Sequence, residues 1–341
     1  MEHEHEYTVA VLGATGAVGR AMVATLEQRE FPVGKLVLLA SAKSEGQTIP
    51  FRGEDVTVHG VTQTSFSGVD VALFSAGAEA SRQWAPVAVD SGAVVVDNSS
   101  AFRMDDNVPL VVPEANRETL RTHRGIIANP NCSTIQLMVA LKPLLPFGVE
   151  RVAISTYQAV SGMGQKAIAG LAQEVAGARE TSVFPTASAD VHVPMAANVV
   201  PQCDVFLDNG YTKEEMKLVN ESRKILGLPD LEVLPTAVRV PVVYGHSESV
   251  EVRFSRPTSP LAVREALTGA PGVQVVDNPP QGQFPHPKLA AGTPDTYVGR
   301  IRQALSDERT VLMFVVADNL LKGAAWNAVQ IAECLVEDGL R

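Results

Sequence analysis

A glycine-rich loop lies between an apolar run at Thr8–Leu12 and a helical pattern, with the sequence Gly13-Ala-Thr-Gly16-Ala-Val-Gly19. Glycines permit a tight turn and let backbone approach a pyrophosphate, while the helix N-terminus supplies N–H groups and positive potential. The spacing is G-x-x-G-x-x-G, so the interpretation depends on the strand before it and the helix after it. We predict that a dinucleotide binds at Gly13, Thr15, Gly16, Ala17, Val18 and Gly19.

Short apolar runs alternate with helical stretches up to Ala128. Near-continuous apolar strands separated by helices indicate a parallel sheet covered on both faces, as in a Rossmann-like, doubly wound α/β domain. The further runs lie at Leu36–Leu39, Val69–Phe74, Val94–Val96, Val111–Val112 and Ile126–Ile127.

The pattern changes after about residue 148, where apolar and polar residues alternate at Val152–Gln158, Val238–Val242 and Val250–Phe254. Such alternation favours antiparallel strands with one covered face. A helix is predicted over 213–226, because Thr212 and Glu215 form a capping box and Gly227 ends the pattern.

These patterns predict two domains. The first is a nucleotide-binding domain over 1–131, and the second is an α+β domain over 132–318. The Pro- and Gly-rich stretch 277–294 is predicted to be a loop. The last helix, 319–341, has one apolar stripe and is predicted to return to the first domain; the stripe holds Leu320, Ala324, Ala328, Ile331 and Leu335.

Composition excludes several classes of protein. The 341 residues carry 28 Lys+Arg against 38 Asp+Glu, a net charge of −10, which disfavours nucleic-acid binding. The longest apolar run, Val311–Ala317, is much shorter than the about 20 residues of a membrane span. Three cysteines form no disulfide framework and no secretory leader is recognised, so we predict a cytosolic protein. The Glu-His alternation at 2–6 is typical of a solvated terminus, and no metal site is predicted.

The segment after the second strand bears on cofactor choice. NAD enzymes of this type place an Asp or Glu there to bind the ribose 2′-OH. Here the tip reads Ser41-Ala-Lys43-Ser44, with a cation, two hydroxyl groups and no carboxylate. A 2′-phosphate would be attracted to this set, so NADP is predicted over NAD.

Asn129-Pro-Asn131-Cys132-Ser-Thr follows an apolar strand and precedes a helical run. A cysteine at a helix N-terminus has its thiolate stabilised by the helix dipole, which favours nucleophilic chemistry. Cys203 and Cys334 lack this setting and are interpreted as bystanders. A thiolate beside a nicotinamide can add to an aldehyde, and hydride loss then yields a thioester. His246, beside a turn between strands, is the candidate base.

Several motifs occur in the order seen in aspartate-semialdehyde dehydrogenases, and the chain resembles the bacterial type of that family from about residue 7 to its end. Besides the glycine loop and Asn129–Thr134, these are Ser99–Arg103, Gln158–Gly164, Glu214–Lys217, Arg239–Val242, Gly245-His246, Val298–Arg302 and Asp318–Leu320.

The resemblance implies a role for each candidate residue. Cys132 would be the nucleophile and His246 the general acid/base, with Gln158 and Asn131 positioning the substrate and the reacting oxygen. Arg239 would bind the substrate α-carboxylate, and Glu214 would bind the substrate amino group. Arg103 and Lys217 would bind phosphate. The nicotinamide end of the cofactor would contact Ser161, Gly162 and Asn319.

The implied reaction is the reversible NADPH-dependent conversion of L-4-aspartyl phosphate to L-aspartate 4-semialdehyde and phosphate. It belongs to lysine, threonine, methionine and diaminopimelate biosynthesis. The resemblance also implies that the domain over 132–318 is the catalytic, substrate-binding and dimerisation domain, through which a homodimer forms. An N-acetyl-gamma-glutamyl-phosphate reductase and a non-catalytic NADP-sensing protein are the alternatives. Lys43 stands where the family commonly has Arg, which keeps the charge but loses bidentate geometry.

Without the resemblance, the charged candidates have structural explanations. Glu214 and Lys217 are spaced i, i+3 and so are suited to a surface helix ion pair. Arg103 and Arg239 are equally suited to structural ion pairs.

Overall fold

The structure is a computed structural model that describes residues 6–340. The predicted solvated segment at 2–6 therefore lies outside the described residues, apart from Glu6. No helix in the described part of the chain is long and apolar enough to cross a bilayer. The chain forms two compact units, one that ends at Asn131 and resumes at Ala324, and one that spans Cys132–Gly323.

A seven-stranded sheet forms the centre of the first unit over its described residues, in the order β3-β4-β2-β1-β5-β6-β7. All neighbouring strands are parallel except β3 and β4, which form an antiparallel hairpin. The bounds are β1 Tyr7–Leu12, β2 Val33–Ala40, β3 Thr48–Phe51, β4 Glu54–Gly60, β5 Val71–Phe74, β6 Val94–Asp97 and β7 Ile126–Ala128.

Helices cover both faces of this sheet, because successive side chains of a strand point to opposite faces. The helices of this unit are α1 Ala17–Gln28, α2 Ala78–Asp90, α3 Pro113–Asn116 and α9 Trp326–Glu337. On β1, Val9 and Val11 pack in the same cluster as residues of α1 and α9. Ala10 and Leu12 pack in a second cluster with α2. The predicted doubly wound α/β fold is confirmed.

One predicted strand is absent from the described chain. Val111-Val112 forms no strand, and only an isolated bridge pairs Leu110 with Ala128. On the edge facing β7, the Val111 N–H donates to the Ala128 carbonyl at 3.0 Å. On the other edge, Asn116 Oδ1 accepts from the Val112 N–H at 3.0 Å and Asn116 Nδ2 donates to the Leu110 carbonyl at 2.9 Å. The pairing with β7 goes no further, because α3 begins at Pro113.

The second unit contains a six-stranded sheet in the order β11-β12-β13-β10-β8-β9. Its strands are β8 Val149–Gln158, β9 Glu232–Arg239, β10 His246–Phe254, β11 Val273–Val275, β12 Thr296–Gln303 and β13 Thr310–Ala317. Its helices are α4 Cys132–Leu141, α5 Gln165–Val175, α6 Lys213–Leu226, α7 Pro260–Leu267 and α8 Pro287–Ala290. The predicted loop over 277–294 is irregular apart from α8 and one short 3₁₀ turn.

This sheet is mixed, so the antiparallel prediction is only partly correct. β8, β10 and β13 pair antiparallel, whereas β9 runs parallel to β8. The strand predicted at 238–242 lies instead at Glu232–Arg239 and ends before Pro241. β9 is an edge strand, which explains why Pro235 is tolerated within it: the missing N–H belongs on the unpaired side.

The helix predicted from Thr212 and Gly227 has the bounds given by its caps. The Thr212 side chain accepts from the Glu215 N–H, and the Glu215 carboxylate accepts from the Thr212 N–H. Gly227 closes α6 in the left-handed region, with φ of 65°. Glu215 Oε1 also accepts from the Ala237 N–H at 2.9 Å, which joins the start of α6 to β9.

We expect Gly19→Ala to destabilise the first unit and Gly16→Ala to be tolerated. A Cβ on Gly19 would lie 2.1 Å from the Gly13 carbonyl oxygen, whereas a Cβ on Gly16 would lie 3.4 Å from it. Backbone must move in the first case, at a cost of about 2 kcal/mol or more. Urea unfolding monitored by circular dichroism measures both variants; equal midpoints would contradict this account of the loop.

Candidate active site

The glycine loop of the first unit has the geometry of an anion site. Gly13 has φ of 84°, and a Cβ there would lie 2.8 Å from the Ser75 carbonyl carbon, so this turn requires glycine. Gly16 precedes α1 and contributes no side-chain cap, so the first-turn N–H groups at Ala17, Val18 and Gly19 have no intrahelical acceptor. These groups fit a pyrophosphate.

The tip of β2 lies beside this loop. Thr15 Oγ1 donates to Ser44 Oγ at 3.3 Å, which ties the glycine loop to the short turn Ala42–Ser44. Ser41 and Lys43 are exposed on the same turn. A cation and hydroxyl groups thus stand next to the helix N-terminus, and no carboxylate lies between residues 41 and 44.

Arg103 and Asn131 are both buried within the first unit. Arg103 donates from Nε to the Asn129 carbonyl and from Nη2 to the Asn98 carbonyl, each at 2.9 Å. Asn129 in turn bonds Asn98 at 2.6 Å and Asn327 at 2.7 Å. The segment that leads to Cys132 is therefore rigidly held, and part of Arg103 serves this structural purpose.

Cys132 is the first residue of α4, as the motif predicted. It is partly exposed, and a Cβ on Gly323 would lie 2.8 Å from the Cys132 Cβ, so only glycine lets that turn approach Cys132. The other two thiols differ: burial raises the pKa of Cys203 to about 12 and that of Cys334 to about 11. Both are therefore protonated at neutral pH, which fits the bystander interpretation.

Ser133, next to the candidate nucleophile, anchors a buried polar cluster. Gln158, at the end of β8, donates to Ser133 Oγ at 2.9 Å and to Glu214 Oε1 at 3.1 Å. Ser133 Oγ also donates to Glu214 Oε1 at 3.4 Å. The start of α4, the end of β8 and the first turn of α6 meet here.

Glu214 is 6% exposed yet charged. Lys217 Nζ binds its Oε2 at 2.9 Å and the Asp204 carboxylate at 3.1 Å. Burial alone would raise the pKa of Glu214, but Lys217, Arg239 and the Gln158 amide together lower it to about 2. The i, i+3 ion pair expected from spacing is present, and it lies in a buried cluster rather than on an open helix face.

Arg239 and His246 converge on Gly162, because a Cβ there would lie 3.4 Å from Arg239 Nη1 and 3.3 Å from His246 Nε2. Arg239 Nη1 donates to the Ala159 carbonyl at 2.8 Å. Among the described residues, Arg239 Nε and His246 Nε2 are buried and have no hydrogen-bond partner. A buried cationic donor without an acceptor fits a carboxylate ligand.

The protonation of His246 is set by backbone. The Ala159 N–H donates to His246 Nδ1 at 3.0 Å, so the neutral ring carries its proton on Nε2. Burial, reinforced by Arg239 and opposed by Glu214, lowers the pKa of His246 to about 3. The resting imidazole is therefore a neutral hydrogen-bond donor through Nε2.

Ser161 and Asn319 form the last predicted pair. Asn319 Nδ2 donates to Ser161 Oγ at 2.9 Å, and Asn319 Oδ1 accepts from the Gly245 N–H at 3.0 Å. This contact fixes the turn before His246 against the segment that carries Gly162.

Within the second unit, the structure thus brings together Cys132 with its neighbour Ser133, Gln158, Glu214, Lys217, Arg239, Gly162 and His246. Sequence reasoning missed Ser133 and Asp204. Ser133 is signalled only by its position after the cysteine. Asp204 has φ of 67°, an unusual value for a non-glycine residue, which no sequence pattern revealed.

We expect Glu214→Gln to flatten the acid side of the stability–pH curve. The Glu214 pKa falls from 4.5 to about 2 on folding, so its contribution is complete above pH 4.5 and is lost as pH falls toward 2. The term is about 3 kcal/mol, at about 1.4 kcal/mol per pKa unit. Urea unfolding between pH 7 and 3 measures it, with exposed Glu232→Gln as control. Superimposable curves for wild type and Glu214→Gln would refute the assignment.

Comparisons with known proteins agree with this geometry. The semialdehyde dehydrogenase NAD binding domain model matches residues 8–123, and the semialdehyde dehydrogenase dimerisation domain model matches residues 141–322. The aspartate-semialdehyde dehydrogenase of Aquifex aeolicus is 51% identical, covering 98% of this chain and 99% of that protein.

Solved structures give the same result. Aspartate semialdehyde dehydrogenase II of Vibrio cholerae, complexed with ASA, has a TM-score of 0.92 and 47% identity over 98% of this chain and 99% of that one. The Candida albicans aspartate semialdehyde dehydrogenase with NADP has a TM-score of 0.74 and 25% identity over 97% and 98%. These findings confirm the predicted fold, a nicotinamide-binding domain and an oxidoreductase, and the chain belongs to the aspartate-semialdehyde dehydrogenase family.

Proposed function

We propose that the chain catalyses the reversible, NADPH-dependent reductive dephosphorylation of L-4-aspartyl phosphate to L-aspartate 4-semialdehyde through a thioester on Cys132. The observation that carries this proposal is the cluster of the second unit. A helix-terminal cysteine, a buried carboxylate, and two buried donors without partners, Arg239 Nε and His246 Nε2, occur in one site. The pathway implied is that of lysine, threonine, methionine and diaminopimelate.

In the reductive direction the Cys132 thiolate attacks the acyl carbon of the substrate. A C–S bond forms, the C–O bond to phosphate breaks, and inorganic phosphate leaves. When bound, NADPH supplies the hydride that converts the thioester carbon to the aldehyde oxidation level. The resulting oxyanion on the Cys132 adduct collapses, the C–S bond breaks, and the semialdehyde leaves with the thiolate restored.

His246 is proposed as the acid/base residue, and its geometry favours one part of that role. Once Cys132 is a thiolate, the reductive sequence requires no proton transfer, so the neutral Nε2–H serves as a donor to the oxyanion. Accepting a proton from the Cys132 thiol requires the Ala159 bond to Nδ1 to open, because that nitrogen must then carry the ring proton.

The other roles follow from charge and position. Arg239, with its unpartnered Nε, is proposed to bind the α-carboxylate, and the Glu214 carboxylate to bind the amino group. An acylated amine carries no charge to pair with Glu214, which disfavours the N-acetylglutamyl alternative. Gln158 and Asn131 are proposed to position the substrate and the reacting oxygen. Phosphate is proposed to bind Arg103 and Lys217, and the nicotinamide end is proposed to contact Ser161, Gly162 and Asn319.

A homodimer formed through the second unit is proposed as well. The dimerisation-domain model covers most of this unit. Tyr157 on β8 and Leu234 on β9 are 37% and 43% exposed on neighbouring strands, as expected of side chains available to a second copy. A cytosolic location and the lack of a metal requirement stay predictions.

Replacing the nucleophile tests the reaction. We expect Cys132→Ser to lower phosphate-dependent NADP reduction with the semialdehyde by about 10³-fold or more, because the hydroxyl is a far weaker nucleophile. NADPH binding, measured by fluorescence, should stay near wild type. Cys334→Ala is the matched control and should keep full activity. Near-normal turnover by Cys132→Ser would refute the mechanism. If the wild-type protein binds NADPH tightly but does not turn over the semialdehyde, the NADP-sensing alternative is indicated.

The preference for NADP or NAD tests the role proposed for the residues after β2. We propose NADP over NAD, with the 2′-phosphate bound by Ser41, Lys43 and Ser44 and the pyrophosphate by the glycine loop. The NADP complex of the Candida albicans relative supports this choice. Lys43→Ala should lower kcat/KM for NADP about tenfold, the value of one charge-assisted bond, and leave NAD unchanged. Lys35→Ala, also exposed on β2, is the control. A wild-type preference for NAD would overturn the proposal.

A further inference from the structure

A second buried carboxyl group lies behind the site and has no role in the reaction above. Glu248 follows His246 by two residues on β10, so both side chains point to the same face. Glu248 is 0% exposed, and neither of its carboxyl oxygens has a hydrogen-bond partner among the described residues. Thr156 on β8 and Val315 on β13 are its cross-strand neighbours.

Gln136 of α4 is the polar group that faces Glu248. It lies four residues, about one helical turn, after Cys132. Its Nε2 donates to the His246 carbonyl at 3.4 Å, while its Oε1 is buried without a partner. Thr156 Oγ1 is likewise unpartnered. Three polar groups under the nucleophile thus lack partners, where buried groups are normally hydrogen-bonded.

Protonation of the Glu248 carboxyl group would supply the hydrogen-bond donor that this group of buried polar atoms needs. No described lysine, arginine or histidine pairs with Glu248, so its ionised form would be a buried charge without compensation. Burial raises the pKa of Glu248 well above its usual range, and the Gln136 amide only partly opposes this. A neutral carboxylic acid has the O–H donor that Gln136 Oε1 lacks, and its other oxygen would be available to accept a hydrogen bond from the Thr156 hydroxyl group.

We propose that Glu248 is a positioning residue held as a neutral acid, whose O–H donates to Gln136 Oε1. Together with the Gln136 bond to the His246 carbonyl, this contact joins the helix that begins at Cys132 to the strand that begins at His246. The role rests on the proposed function of Cys132 and His246, and it deepens that function by assigning what maintains their spacing. Misplacement of reacting groups by about 1 Å is enough to cost about 10²-fold in rate.

The test compares two substitutions at one position. Glu248→Gln keeps the shape, the neutrality and an N–H donor for Gln136, whereas Glu248→Leu removes the donor. We expect Glu248→Gln to stay within about twofold of wild-type kcat and Glu248→Leu to lose about tenfold or more with little change in KM. Val250→Ala, the next residue on the same face of β10, is the control for a packing defect; it should lower thermal stability without the loss in kcat.

Two further measurements do not depend on turnover. The alkylation rate of Cys132 by iodoacetamide should match wild type in Glu248→Gln and change in Glu248→Leu. The infrared spectrum of wild type minus that of Glu248→Gln should show the C=O band of a protonated carboxyl group, because the variant has no carboxyl group at this position. If wild type fails to turn over the semialdehyde, the proposed function falls, and these two measurements still decide the role of Glu248.

Three results would overturn the proposal. Loss of activity in Glu248→Gln equal to that in Glu248→Leu would show that the charged form is needed. Wild-type kcat in Glu248→Leu would show that the contact has no effect on the site. An equal loss in Val250→Ala would show that any packing defect on this face of β10 has the same effect.

Discussion

The second unit depends on one electrostatic constraint, the burial of the charged carboxylate of Glu214. An ionised carboxylate away from water costs several kcal/mol unless it is paired and hydrogen-bonded. Here the partners come from three elements: Lys217 from α6 itself, Gln158 from β8, and Ser133 from α4. The first-turn position in α6 also places the charge at the positive end of the helix dipole. Satisfying one anion therefore fixes how two helices and a strand meet, and Cys132 lies at that junction.

Two buried glutamates in this unit have opposite surroundings. Glu214 has a lysine and two hydrogen-bond donors, and its pKa falls. Glu248 has an amide and a hydroxyl group nearby but no cation among the residues that the structure describes, and its pKa rises. Divergence of this kind between two carboxyl groups separates a charged function from a neutral one within a single fold. In the proposed function, the charged Glu214 binds the substrate amino group, whereas the neutral Glu248 lies behind the proposed nucleophile, Cys132.

Local patterns predicted the elements that local chemistry determines. α6 has its predicted bounds because its capping box and its terminal glycine are short-range signals. The strand–glycine–helix unit and the helical start at Cys132 were predicted for the same reason.

Sequence patterns failed where contacts with another segment of the chain determine the local structure. Val111-Val112 has the apolar pattern of a strand, but α3 begins at Pro113, and Asn116 binds the backbone of Leu110 and Val112 on the edge away from β7. β9 pairs parallel to β8, a choice that alternation cannot reveal, and the β3–β4 hairpin lacks a long apolar run. Asp204 joins the candidate site only because its loop returns to Lys217, and no spacing rule encodes that return.

The bond from the Ala159 N–H to His246 Nδ1 has a wider consequence. The donor is a main-chain amide, so the position of the ring proton is a property of the β8 terminus rather than of any side chain. A substitution at buried Ala159 that leaves the backbone in place, proline excepted, keeps the same imidazole tautomer. A comparison of residue types at position 159 therefore does not reveal this hydrogen bond. The bond persists wherever the end of this strand and this histidine keep their geometry.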